Sequence, residues 1–267
     1  MAKALVTGAS SGIGLELAKI LAKNGYDLLL CARSEAKLKK IAQNLKNQHG
    51  VKVDVISMDL SVSGAAKALY QAVTDKFDQI DILINNAGFG LNGSFGDLAL
   101  EKWQEMMHLN MVTLTELSYY FANDMRARNC NGRIMNISSV AAFQSCPWFA
   151  VYGATKSFVL SFSEALRYEL APHGISVTAI CPGATATPFH QIANSENIAL
   201  NFRFDKVEDV AQTAYDAMMA RKGTIITGVM NKPLPLLVRL APRALVASIA
   251  ERLAKPDVMR NIKARHN

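Results

Sequence analysis

Residues 3–14, Lys-Ala-Leu-Val-Thr-Gly-Ala-Ser-Ser-Gly-Ile-Gly, constrain the fold of this chain more than any other stretch. A short apolar run ends in glycines spaced Gly-x-x-x-Gly-x-Gly, after which Leu15, Leu17, Ala18, Leu21 and Ala22 recur at helical spacing up to Gly25. That order reads as strand, glycine turn, helix. Such a turn lets backbone N–H groups approach a pyrophosphate closely, and the positive end of the helix dipole faces the same anion. The spacing differs from the G-x-G-x-x-G fingerprint. It is the placement between strand and helix that makes Gly8, Ser10, Ser11, Gly12, Ile13 and Gly14 a candidate nucleotide cradle, against a merely structural turn.

The alternation then repeats. Residues 27–32 read as a strand with Ser34 as helix N-cap, 34–48 as a charged helix, 51–58 as a strand ending at Asp59, 63–77 as a helix and 81–84 as a strand. A long helical pattern over 100–125 precedes a strand at 133–137. A helix over 152–170 precedes a strand at 176–180, and a helix at 207–219 and a strand at 224–227 follow. Strands alternating with helices imply right-handed crossovers and an α/β fold, a doubly wound parallel sheet of about seven strands covered on both faces. Ligands bind beyond the C-terminal ends of such strands.

Those ends carry the chemistry. In a nucleotide-binding unit an acid about twenty residues past the glycines accepts from ribose hydroxyls, whereas an arginine there holds a 2′-phosphate. Ala32 stands where the acid is expected and Arg33 follows it. A guanidinium forks onto a phosphate that a carboxylate would repel, so NADP(H) is preferred over NAD(H), unless Arg33 merely faces solvent. Asp59, followed by Leu60, ends the next strand and either accepts from an adenine amino group or caps a turn in Asp59-Leu60-Ser61. Asn85-Asn86-Ala87-Gly88 leaves the fourth strand, with asparagines suited to fixing a loop beside a cofactor. Asn110 lies inside an apolar helical stripe, where an amide needs partners and a structural role is the simpler reading.

Composition bounds the alternatives. Half of the 267 residues are apolar and 19% are charged, ordinary for a globular protein. The start has too short an apolar run to read as an export signal. Cys31, Cys130, Cys146 and Cys181 lie far apart, without C-x-x-C pairs or histidines at ligand spacing, so neither a metal site nor a disulfide framework is expected. Reduced thiols fit a cytoplasmic protein. The formal charge of +7 invites nucleic acid, but the basic residues are dispersed and no aromatic-interleaved basic stripe appears, so no nucleic-acid partner is expected.

Tyr152 and Lys156 are four apart on a helix and share a face. Bringing a phenol from pH ~10 to ~7 takes roughly 4 kcal/mol, about the effect of one unit charge ~4 Å away at an effective dielectric near ~20. Ser139 lies thirteen residues upstream of Tyr152, at the end of a strand.

With Gly8, Gly12 and Gly14, Asn85-Asn86-Ala87-Gly88, Asn110, Ser139, Tyr152, Lys156 and Pro182-Gly183 in this order, residues 3–228 closely resemble the short-chain dehydrogenase/reductase family. The resemblance implies a Rossmann-type domain that binds NADP(H) or NAD(H) and transfers hydride between nicotinamide and a carbonyl or alcohol carbon. It implies that Tyr152 is general acid in reduction and base in oxidation, and that Ser139 hydrogen-bonds the substrate oxygen. Lys156 would bind the nicotinamide ribose and lower the Tyr152 pKa, and Asn110 would hold a water in a relay to Lys156. Asn86, Ala87 and Gly88 would line the cofactor, with Pro182, Gly183 and either Thr185 or Thr187, the latter favoured, at the nicotinamide amide. A homodimer or homotetramer through the 100–125 and 152–170 helices is also implied.

The substrate is written less clearly. Phe89, Phe143, Trp148, Phe149, Phe189 and the irregular segment 184–204 suggest an apolar pocket for a fairly hydrophobic ketone or aldehyde, although each aromatic also suits packing on the body. Cys146 reads as a pocket-wall thiol, and His190 as an exposed loop residue rather than a substrate contact. A 3-oxoacyl or ketosteroid reductase is the alternative within the enzyme class, and a non-catalytic NADP(H)-binding regulator the alternative outside it. Residues 1–228 form the cofactor-binding and catalytic domain. Residues 229–267 form a basic amphipathic extension broken by Pro233, Pro235 and Pro242, which packs over the pocket, faces a partner subunit or touches a membrane surface without spanning it.

Overall fold

The computed structural model describes residues 2–189, 193 and 204–255. Unbroken apolar runs make strands that are buried on both faces. Such runs form β1 (Lys3–Thr7), β2 (Asp27–Ala32), β4 (Ile82–Asn85), β5 (Arg133–Ile137) and β6 (Ser176–Cys181), while β3 (Val53–Ser57) and β7 (Thr224–Ile226) are partly exposed. These seven strands lie in the order β3-β2-β1-β4-β5-β6-β7, every neighbouring pair parallel, so β3 and β7 are the edges. The chain order reverses direction between β1 and β4, which opens a crevice at their C-terminal ends.

Helices cover both faces. α1 (Gly12–Lys23), α2 (Glu35–His49) and α7 (Val207–Met219) bury Leu17, Leu21, Leu38, Leu45, Ala211 and Met218 against one side. On the other side α3 (Ala65–Lys76), α5 (Leu114–Ala127) and the end of α6 (Ala150–Leu170) bury Leu69, Val73, Leu117, Phe121, Met125 and Leu170. Each fully buried leucine or phenylalanine here is worth roughly 1.5–3 kcal/mol over its exposed state. Beyond Gly228 a 3₁₀ turn (Val229–Asn231) leads to α8 (Leu234–Leu240) and α9 (Arg243–Ala254).

Three local expectations need correction, and a fourth holds in position alone. The helix expected over 100–125 is α4 (Leu100–Met107), a π-helical turn (His108–Thr113) and α5. Apolar spacing does not register a π turn; this one carries Asn110, whose side chain clamps the loop after β4. Asn85 does not leave the sheet: it ends β4 buried, its Nδ2 donating to Asn136 Oδ1 (2.9 Å) and Ser118 Oγ (3.1 Å). Ser34 holds the N-cap position of α2 without a side-chain cap bond. The helix carrying Tyr152 begins two residues earlier, at Ala150.

Candidate active site

The glycine turn is clasped from β4. Gly8 is left-handed (φ +65°), and Asn86 Nδ2 donates to the carbonyls of Thr7 (2.9 Å) and Gly8 (3.2 Å). Thr7 Oγ1 accepts from the backbone N–H groups of Asn86 and Ala87 at 3.0 Å each and donates to the Ile84 carbonyl. A β-carbon on Gly8 or Gly14 would collide with the Asn86 side chain. Thr7, buried and placed by nothing in the apolar pattern, is therefore the pin of this turn. Ser11 precedes α1 with extended backbone and no side-chain cap bond, leaving the first turn's N–H groups to an outside acceptor.

A cavity of about 1190 Å³ runs from this turn along the ends of the strands. Ser10, Ser11, Gly12 and Ile13 line its middle. Glycines that permit close approach, beside a helix N-terminus, form a donor set suited to a pyrophosphate, so the residues present fit a dinucleotide. At one end stand Ala32, Arg33, Ser34, Lys37, Asp59 and Leu60. Arg33 is exposed to the cavity mouth. Lys37, in the first turn of α2, adds a second cation at this end, which the apolar spacing of the helix does not mark. Asp59 Oδ1 accepts from Ser61 N (2.9 Å) and Ser61 Oγ (2.7 Å), the turn-capping alternative, while its residue still lines the cavity. These bonds, with Arg33 nearby, hold its carboxyl below the usual range.

At the other end four side chains meet. Ser139 leaves β5, and its Oγ accepts from Ala141 N at 3.1 Å, which caps the 3₁₀ turn Val140–Phe143. Tyr152, on the first turn of α6, has Ser139 as a neighbour, whose hydroxyl favours the ionised phenol. Lys156, one turn on, is buried, and its Nζ donates to the Ile137 carbonyl (2.8 Å). Asn110 Nδ2 donates to Phe89 O (3.0 Å) and Thr155 Oγ1 (3.1 Å), its Oδ1 accepts from Phe89 N (3.2 Å), and Thr155 Oγ1 donates to Tyr152 O (2.8 Å). The π turn is thus fastened to the helix that carries Tyr152 and Lys156. Gly88 lies against both Asn110 Oδ1 and Lys156 Nζ.

The electrostatics refine the expected effect of Lys156. Its Nζ is 5.7 Å from the Tyr152 ring centroid. Burial is the largest influence on both groups, pushing the phenol up and the ammonium down to about 8. The neighbouring Ser139 hydroxyl pulls the phenol back in part. In this arrangement Tyr152 holds its proton firmly, rather than being lowered by its neighbour alone.

The remaining predicted residues divide. Pro182 O accepts from Val140 N (3.0 Å), and Gly183 lies directly against Asn231. Thr185 is buried and turned to its own loop, donating to Gly183 O (3.0 Å), whereas the Thr187 methyl lies beside Gly12 across the cavity. Phe89, Cys146, Phe149 and Phe189 line the cavity. Phe143 instead packs on Leu160, Ala179 and Cys181, and Trp148 borders a separate hollow of about 230 Å³, because the loop folds back on the body there. Burial pushes the Cys146 thiol up to about 11, consistent with an inert wall residue. His190 lies outside the described residues. Met230, Asn231, Leu234, Ala250 and Leu253 of the C-terminal extension also line the cavity; of these, sequence spacing does not single out Met230, Asn231 and Ala250.

Residues 2–198 match the short chain dehydrogenase family. A short-chain dehydrogenase from Sphingobium yanoikuyae in complex with NADPH superposes with TM-score 0.81 at 32% identity, over 96% of both chains. The bulky-bulky ketone specific alcohol dehydrogenase from Comamonas testosteroni superposes with TM-score 0.76 at 29% identity, over 91% of this chain and 96% of its own. The ketoacyl reductase HetN of Nostoc sp. is 34% identical over 179 residues, 67% of this chain and 62% of HetN. The chain belongs to the short-chain dehydrogenase family, as an oxidoreductase acting on alcohol or carbonyl groups.

Proposed function

We propose that this chain is an NADPH-dependent reductase of fairly apolar ketones or aldehydes, capable of the reverse alcohol oxidation. The observation that carries it is the meeting of Ser139, Tyr152 and Lys156 at the wall of a cavity whose far end presents Arg33 and Lys37. The Arg33 and Lys37 pair supports the preference for a 2′-phosphate, and Asn86, Ala87, Gly88, Pro182, Gly183 and Thr187 flank the path between the two ends. Thr187 is the better of the two threonines, since it lies beside Gly12 of the glycine turn while Thr185 is buried and donates to Gly183 O.

When bound, the nicotinamide supplies or accepts the hydride. Reduction builds negative charge on the carbonyl oxygen, and the neighbouring hydroxyls of Ser139 and Tyr152 would both donate to it. Tyr152, protonated because burial disfavours its phenolate, gives its proton to this oxygen. The Lys156 ammonium, which would also hold the nicotinamide ribose, then stabilises the phenolate left behind. Asn110 holds the π turn against Thr155, and the altered backbone pairing of such a turn suits it to carry the relay water behind Lys156.

Phe89, Phe149 and Phe189 favour an apolar substrate, and the Comamonas relative acts on bulky ketones by its name. The ketoacyl reductase relatives favour a second reading, reduction of a 3-oxoacyl thioester or a ketosteroid. We place the enzyme in the cytoplasm, on its free cysteines, and as a homodimer or homotetramer joined through α4–α5 and α6, where Val112, Tyr119, Phe158 and Tyr168 are exposed. Initial rates with NADPH and NADH, over ketones and aldehydes of graded size with a 3-oxoacyl thioester and a 3-ketosteroid included, test the assignment. Rates that favour NADPH and rise with apolar size support it; turnover with NADH alone removes it.

A further inference from the structure

The C-terminal helices have two faces that the catalytic reading does not explain together. Half of the exposed large apolar side chains among the described residues fall within 229–253. On α8, Leu236 (63% exposed), Leu237 (58%) and Leu240 (77%) share one helical face; on α9, Leu245, Ile249 and Leu253 form an i, i+4, i+8 stripe. Lys232, Arg239 and Arg243 are exposed among them, and the one acid in 229–255, Glu251, is paired with Lys255 at 3.9 Å. The inner face, through Leu234 and Ala250, lines the cavity. Met230 and Leu253 do both, lining the cavity while 82% and 43% exposed, so the apolar surface and the cavity mouth share a rim.

We propose that α8 and α9 dock this chain on an anionic phospholipid surface, from which the cavity draws its substrate; this second clause rests on the apolar carbonyl reading given above. Leucines with interspersed lysine and arginine are the composition that seats an amphipathic helix at a headgroup boundary. A second copy of the chain suits the same surface poorly. A two-fold interface sets each patch against itself, and here that would bring Lys232, Arg239 and Arg243 of one copy near their equals. Anionic headgroups complement those charges. Among the described residues no helix is long and apolar enough to cross a membrane, so the contact is peripheral.

Flotation of the full chain with vesicles of phosphatidylcholine, with and without roughly a third of phosphatidylglycerol, tests the docking. Two variants accompany it, Leu236→Ser/Leu237→Ser/Leu240→Ser and Arg239→Gln/Arg243→Gln, all at exposed positions away from the cavity. Binding is expected only to the anionic vesicles and is expected to weaken with salt. It should fall more than about tenfold in each variant, at roughly fivefold per basic residue, while thermal stability and NADPH oxidation with a small water-soluble ketone stay as in the parent. A long-chain ketone dissolved in the same vesicles should be turned over about tenfold more slowly by the leucine variant. The proposal is overturned by failure to float, by variants that bind like the parent, or by the leucine variant sedimenting as a smaller species, which would make a second copy the occupant. Flotation without turnover of any ketone would keep the docking and remove the reductase reading instead.

Discussion

The side-chain amide of Asn86 fills the space that a β-carbon on Gly14 would need, and the same amide holds the carbonyl of Gly8 at 3.2 Å. The exit of β4 and the cofactor turn after β1 are therefore one packed unit. Gly14→Ala cannot relax into solvent, because backbone and Asn86 close on it from both sides. Overpacking of this kind costs about 1–3 kcal/mol. The expected result is a lower melting temperature and at least a tenfold weaker NADPH affinity by fluorescence titration. Unchanged affinity would mean that the turn is not the cradle.

Arg33 and Lys37 both border the end of the cavity opposite Tyr152. Replacing a charge-assisted contact with a carboxylate removes roughly 1.5–3 kcal/mol. Arg33→Asp should lower the ratio of kcat/KM for NADPH over NADH by about a hundredfold, and Lys37→Ala by less. If Arg33→Asp leaves the ratio where it was, the arginine only faces solvent.

Burial sets the proton affinity of Lys156. With its pKa lowered from the ordinary 10.5 to about 8, the folded state binds fewer protons than the unfolded chain between those values, so stability rises with pH across that window. Below about 8 the cost of burying the ammonium is present in full. Lys156→Met should therefore flatten the rise in stability between pH 8 and 10.5 seen in the parent by chemical denaturation. A parallel pair of curves would show that the ammonium is not confined as described. The raised phenol of Tyr152 acts in the same direction on activity: reduction should hold steady through neutral pH, and alcohol oxidation should climb as the solution turns alkaline.

Phe189 packs its ring 5.4 Å from that of Tyr152 and against Gly90. Of the two phenylalanine rings packed on Tyr152 among the described residues it is the closer, Phe149 lying 5.9 Å away. Losing an aromatic contact of about 0.5–1.5 kcal/mol, Phe189→Ala should raise KM for a small apolar ketone about tenfold with kcat within a few-fold, and should admit larger ketones. A fall in kcat with KM unchanged would instead assign the ring to alignment of Tyr152.

Sequence periodicity reached the sheet because its inner strands are continuous apolar runs, but it placed Ser139, Tyr152 and Lys156 only at a strand end and a helix start; their roles came from the family resemblance. It was blind to features made by non-local pairing. Thr7 became a pin only once β1 and β4 were neighbours, and Asn231 reached Gly183 only once the extension turned back over the cavity. The π turn at Asn110 leaves the apolar stripe intact and so leaves no trace in spacing. Of the loop aromatics, composition alone could not separate Phe149, at the cavity, from Phe143, packed on Leu160.

The most direct test is the fate of deuterium from NADPH labelled at nicotinamide C4, followed by mass spectrometry of the alcohols formed from a graded panel of apolar ketones and aldehydes. The parent chain should deliver deuterium to the carbinol carbon. Tyr152→Phe should bind NADPH with near-normal affinity and deliver it at least about a thousandfold more slowly. Transfer undiminished in Tyr152→Phe, or no transfer by the parent to any member of the panel despite bound NADPH, would contradict the assignment of Tyr152 as the proton donor of a carbonyl reductase.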